Sequence, residues 1–180
     1  DSIAIAANAT AADIAASVNN NLSGLSATAT TGMRVILGGT IDTSAGSTLD
    51  LEINGVSLTQ QATDATTADT AAEIAANFVT AINTTFADSL GKTLTAVDNG
   101  DGTFDVFDAT GADIVVDDYA LGGGAAGSTL SLRALDATGA VESTAAQAIT
   151  SGNGGRVVGD VVFTVDDTTK SYQLLSLIHI

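Results

Sequence analysis

The clearest periodicity in the chain lies between residues 71 and 82. There Ala71, Ile74, Ala75, Phe78, Ala81 and Ile82 recur at the spacing of one buried helical stripe. Thr70-Ala-Ala-Glu73 places a hydroxyl at the N-cap and a carboxylate three residues on, the reciprocal arrangement of a capping box. Asp69 and Glu73 add negative charge where the helix dipole favours it. These features predict a helix from Thr70 to about Asn83. Thr10-Ala-Ala-Asp13 opens a second helix, with Ile14, Val18 and Leu22 on one face as counterparts of Ile74, Phe78 and Ile82. Ala12-Asp13-Ile14-Ala15-Ala16 and Ala72-Glu73-Ile74-Ala75-Ala76 differ only in the acid. A glycine and a short alternating segment follow each: Leu25-Ser-Ala-Thr-Ala29 in one, Leu94-Thr-Ala-Val97 in the other. The pattern is an internal repeat of about 60 residues, its first copy short on the N-terminal side.

Elsewhere the period falls to two. Leu49-Asp-Leu-Glu-Ile53 alternates, and Asn54-Gly55 turns it into Val56-Ser-Leu58, a strong hairpin signal. Val97-Asp-Asn-Gly-Asp-Gly-Thr-Phe104 predicts a second hairpin, continuing through Asp105-Val-Phe107. Further strands are expected over 33–37, 114–116, 130–135 and 161–165, with a last one over 171–174 after a turn at Asp166-Asp167. Gly122-Gly-Gly-Ala-Ala-Gly127 and Ser151-Gly-Asn-Gly-Gly155 read as flexible loops or domain edges. The fold class that follows is α+β and dominated by sheet. It consists of small units, each a β-hairpin, one amphipathic helix and further antiparallel strands.

Composition narrows the interior. Hydrophobic residues make up 45% of the 180, but aromatics only 4% with no Trp, so Ala, Val, Ile and Leu must fill the core. Proline is absent, and the 19 glycines with many Asn and Asp must supply the turns. Without Cys there is no disulfide framework, thiol chemistry or thiolate metal site. A formal charge of −16 opposes binding to nucleic acid or an anionic membrane, and suits solubility at a wet, crowded surface. No segment has the apolar length of a membrane helix. Asp1 in first position, where an initiator Met is absent, predicts a chain that begins inside a longer protein.

The candidate chemistry is thin. His179, the only histidine, lies one residue from the C-terminus with no fixed partner. Leu175-Ser-Leu-Ile-His-Ile180 can be encoded by CTGTCTCTTATACACATC, the transposon end of sequencing-library adapters, and residues 175–180 are read as adapter read-through. Asp98-Asn-Gly-Asp-Gly102 suggests a calcium loop but fails as one. From Asp98, positions 3 and 5 are Gly100 and Gly102 and position 12 is Ala109, so a hairpin turn is the better reading. Asp117-Asp118 with Asp113 reads as a solvated strand edge. The glycines of 122–127 lack the Gly-Lys-Ser/Thr ending of a phosphate loop. Asn8-Ala-Thr10, Asn21-Leu-Ser23 and Asn83-Thr-Thr85 match the N-glycan acceptor pattern, a short and common match that by itself assigns no site. No catalytic, cofactor-binding or metal-ligating residue is assigned, no cofactor is expected, and the chain is not expected to be an enzyme.

The run Leu49-Asp-Leu-Glu-Ile-Asn-Gly-Val-Ser-Leu58, then Thr67-Ala-Asp-Thr-Ala-Ala-Glu-Ile-Ala-Ala76, then Ala81-Ile82-Asn83, Leu94-Thr-Ala-Val97 and the Asn-Gly hairpin resembles the flagellin IN motif. That motif takes its name from an Ile-Asn pair, here Ile53-Asn54. It occurs in the variable outer domains of bacterial flagellins and in related filament and cap proteins. The resemblance covers about residues 49–116 well and 9–30 in part. It implies a partial first unit over 1–38 and a complete second unit over 39–121; the β-rich return segment over 122–174 either completes the first unit or forms a separate domain. The implied role is structural: the surface-exposed variable region of flagellin in an extracellular filament. Its partners would be other flagellin subunits, met through terminal regions absent from this chain, and O-linked glycans are allowed. The alternatives are a hook-associated or filament-cap protein, or a repeat of a secreted bacterial adhesin or calcium-binding surface protein.

Overall fold

The computed structural model describes residues 3–38, 48–61, 69–88, 94–122, 129–142 and 145–171. Helix α1 spans Ala11–Asn21 and α2 spans Ala71–Asp88. Both capping boxes form. Thr10 Oγ1 accepts the Asp13 N–H at 3.2 Å while the Asp13 carboxylate accepts the Thr10 N–H at 3.0 Å. Thr70 and Glu73 do the same at 3.3 and 2.8 Å. Helix α2 runs past its expected end near Asn83 because Phe86 adds one more buried position to the stripe.

Among the described residues, ten strands run in chain order: β1 (Leu25–Gly38), β2 (Thr48–Ile53), β3 (Val56–Gln61), β4 (Leu94–Asp98), β5 (Thr103–Asp108), β6 (Ile114–Gly122), β7 (Thr129–Leu135), β8 (Gln147–Ile149), β9 (Gly155–Val157) and β10 (Asp160–Val165). One sheet has the order β4-β5-β1-β7-β8 and the other β3-β2-β6-β9. All pairings are antiparallel. The fold is therefore α+β and sheet-dominated, as its pattern predicted.

The alternating segment at 25–29 and the strand expected over 33–37 are one continuous element, β1. Its first half pairs with β10, from Leu25 opposite Val165 to Thr30 opposite Asp160. From Gly32 onward it lies between β5 and β7. Alternate residues Ala27, Ala29, Thr31, Met33, Val35 and Leu37 are all buried, and the side chains beyond Thr31 are larger than those before it. The small end packs with Ala11, Ala15 and Val18 of α1, joined by Leu22, Leu25, Val161 and Phe163. The large end belongs to the main core, which takes residues from both sheets and from α2. Helix α2 packs on β3, β4 and β5, and Phe78 stacks on Phe104 with ring centroids 6.0 Å apart.

Three local expectations change. In α1 the fully buried positions are Ala11, Ala15 and Val18, while Ile14 is only half-buried. Strand β6 extends through Asp117 and Asp118, because β2 offers partners as far as Thr48. The glycine-rich run at 151–155 ends in a strand: Gly155 starts β9 and pairs with Val116. Gly154 approaches β6 so closely that an added Cβ would collide with the Val116 carbonyl oxygen, so glycine is there for contact. The readings placed on 123–127, 172–174 and 175–180 lie outside the described residues.

Candidate functional site

The side chains best able to do chemistry in this sequence are its carboxylates, and the structure gives many of them a backbone partner. Asp101 Oδ1 accepts the Thr103 N–H at 3.0 Å and the Thr103 hydroxyl at 2.6 Å. Asp136 does the same with Thr138 at 2.8 and 2.6 Å, and Asp167 with Thr169 at 3.0 and 2.6 Å. Asp108 treats Thr110 likewise. An Asp followed two residues later by Thr is thus one turn device used four times, with the side chain standing in for a backbone acceptor. The hydrogen bond from the Thr103 side chain is the largest influence holding the Asp101 carboxyl below its ordinary value. Those from Thr138 and Thr169 lower Asp136 and Asp167 in the same way. For Asp13 the Thr10 backbone N–H leads.

The acidic run at 98–102 is the β4–β5 turn. Asp98 Oδ1 accepts the Gly100 N–H at 2.9 Å, and Asn99 N donates to the Thr103 carbonyl at 3.1 Å. Asp113, Asp117 and Asp118 do not converge. Asp113 pairs with Arg156, Asp117 accepts the Gly55 N–H at 2.7 Å, and Asp118 is exposed. Among the described residues no group of three or more His, Cys, Asp or Glu side chains is placed to hold a metal ion. His179 lies outside those residues.

Asparagine does the work that the sequence pattern hid. The Asn83 amide nitrogen donates to the Ala96 carbonyl at 2.9 Å and its oxygen accepts the Ala96 N–H at 2.8 Å. Asn19 grips Ala27 identically, both at 2.8 Å. Each helix therefore clamps the third residue of the Leu-Ser-Ala or Leu-Thr-Ala strand that follows it. Aligned on the clamps, Val18 matches Ile82 and Leu22 matches Phe86, so α2 carries one additional turn at its N-terminal end. The repeat's register differs by that turn from the register its capping boxes suggested. The available signal was an Asn late in each helix, followed after a turn by Leu-Ser/Thr-Ala. Asn54 makes a third bridge, accepting the Val115 N–H at 2.8 Å, so the Ile53-Asn54 pair ties the β2–β3 turn to β6. Of the three N-glycan patterns, Asn83 is thereby committed, and Asn21 donates to the Ser17 carbonyl at 2.8 Å.

An ion pair joins neighbouring strands of the larger sheet. Arg34 on β1 faces Asp105 on β5 in register and holds it with two hydrogen bonds of 2.6 and 2.7 Å. An open cleft of about 440 Å³ lies between the start of α1 and residues 156–159, and its two charged side chains, Asp113 and Arg156, are paired with each other. Every one of these polar clusters can cap, clamp or bridge strands. No helix among the described residues is long and apolar enough to cross a membrane. No protein-family model matches this chain, and no curated protein matches it as a relative.

Proposed function

We propose that the chain is a structural module, the surface-exposed variable region of a flagellin in a bacterial filament, and that it performs no catalysis. The observation that carries this reading is the doubled clamp, Asn19 on Ala27 and Asn83 on Ala96. It makes the two helix–strand segments copies of one mechanical unit. Around the second copy, the residues that resemble the flagellin IN motif form β2, β3, α2, β4, β5 and β6 about one core. Such a unit closes its interior with aliphatic side chains and ties its strands with Asn and Asp. Neither task needs a metal or a cofactor, so the unit can be repeated along a surface that varies in sequence. The charge of −16 keeps such surfaces apart in water.

Two experiments test the reading. Sequencing outward from the coding segment should reveal long heptad-patterned helices on both sides, whereas a long array of further repeats would overturn the filament assignment. Thermal melting in calcium and in magnesium chloride at matched ionic strength should give equal midpoints, because the turn carboxylates already hold backbone donors. A large calcium-specific rise in stability would favour the adhesin alternative.

A further inference from the structure

Three Asn-Gly pairs occur in the chain: Asn54-Gly55, Asn99-Gly100 and Asn153-Gly154. We propose that Asn99 is a self-modification site. In the folded protein it converts to aspartate and isoaspartate ahead of the other two, and the change loosens the turn that supports α2.

In this reaction the Gly100 backbone nitrogen loses its proton and attacks Cγ of Asn99. The new C–N bond closes a succinimide, and the side-chain amide leaves as ammonia. Water then opens the ring at either carbonyl, leaving at this position an aspartate or its isomer with an extra backbone carbon. Overall, amide and water become carboxylate and ammonium. Closure is easiest before glycine, which puts no Cβ in the way, and it needs the glycine nitrogen to swing toward the side chain.

The structure sets the three pairs apart. Asn54 is held by Val115, whose N–H its amide oxygen accepts at 2.8 Å, and by a longer contact to the Asp113 carbonyl. Its backbone N–H donates to the Val115 carbonyl, and the Gly55 N–H is held by Asp117 at 2.7 Å. Closure there would break the bridge to β6. Asn153 is exposed and its amide donates to the Thr150 hydroxyl at 2.8 Å, but Gly154 is packed against the Val116 and Asp117 carbonyls, a contact that turning its peptide would disturb. Asn99 is exposed, and its side-chain amide donates to the Thr103 hydroxyl at 3.0 Å. Around Gly100, as around Gly55 but not Gly154, an added Cβ would meet nothing within 4 Å, and no strand other than its own hairpin holds the Asn99 side chain. Asp98 holds the Gly100 N–H in an exposed turn, a contact that local opening can break.

The same turn reaches inward at its next glycine. The Gly102 carbonyl accepts the Leu37 N–H at 3.0 Å, and an added Cβ on Gly102 would stand 2.7 Å from that of Ala71 in the first turn of α2. An isoaspartate at 99 lengthens the backbone beside this contact, so conversion weakens the seat of α2 and the end of β1.

The test is ageing of the intact chain in mildly alkaline buffer, with peptide mapping and isoaspartate detection. Conversion at 99 should outrun that at 153 and 54 by about tenfold or more while the protein is folded, because the other two must also break contacts with β6. In denaturant the three rates should converge. Conversion should be accompanied by faster hydrogen exchange at the Leu37 amide. Asn99→Gln, which cannot close the five-membered ring, should keep that exchange slow throughout. Equal rates at the three sites in the folded chain would overturn the proposal. So would retention of Asn99 under native conditions while it converts in denaturant.

Discussion

Removing the Asn83 side chain takes an acceptor from the Ala96 N–H and a donor from the Ala96 carbonyl together. A buried or half-buried backbone group left without its partner costs about 1–3 kcal/mol, so Asn83→Ala should lower stability by about that amount in a denaturant titration. Asn83→Asp should fall in the same direction, since a carboxylate can accept from Ala96 but cannot donate to it. Hydrogen exchange at the Ala96 amide should speed up in both, and an unchanged amide would contradict the clamp. The turn carboxylates make a second prediction at this scale. Asp13, Asp101, Asp136 and Asp167 titrate below the ordinary value of 3.8 because they accept N–H and hydroxyl bonds in the folded chain. A depressed folded value means that their stabilisation is present above the unfolded value and lost as pH falls through the folded one. Melting temperature should therefore lose none of this contribution between pH 7 and 5, and decline as pH drops below 3.8. A contribution lost already between pH 6 and 5 would show that these bonds do not form. The capping boxes were legible because they are contiguous and stereotyped. The clamps were not, because Asn83 and Ala96 are joined only by tertiary geometry.

At the scale of elements, hydrophobic period carried the reading where the elements were long or alternated cleanly. The stripe Ile74, Ala75, Phe78, Ile82 is buried as expected, and the Leu49-Asp-Leu-Glu-Ile53 alternation is a strand with those three apolar residues inward. Short strands escaped for a physical reason. Strands β8 and β9 are three residues each, so neither completes a recognisable period, and the glycines before β9 read as looseness. The run is instead a close backbone contact. Gly154→Ala would drive a methyl group into the Val116 carbonyl and must push β9 away from β6. Overpacking against rigid backbone costs about 1–3 kcal/mol or more, so this variant should melt lower than wild type. Gly152→Ala meets no neighbour, although its positive φ adds strain, and serves as the comparison for backbone strain alone. If Gly154→Ala melts no lower than Gly152→Ala, the close approach does not hold in solution.

At the scale of the molecule, two cores among the described residues, unequal in strength, share one strand. The core around α1 is built mainly from alanines with Val18, whereas the other contains Met33, Leu37, Phe78, Phe86 and Phe104. Burial contributes about 25 cal/mol per Å² of apolar surface, so small side chains leave the first core with far less to hold it closed. Because β1 enters both, the boundary falls inside a single secondary-structure element, near Thr31. Local opening should follow that boundary and ignore the continuity of the strand. Amides of residues 26–30 should exchange faster than those of 33–37, with a step in protection between them. Val18→Ala should accelerate exchange in 26–30 and leave 33–37 close to wild type. Phe78→Ala removes a ring from the main core, costs about 3–5 kcal/mol, and should accelerate exchange along the whole of β1. Uniform protection from Leu25 to Gly38 that responds equally to both substitutions would mean one cooperative core. In that case the duplicated helix–strand unit would be a feature of sequence and geometry but not of stability.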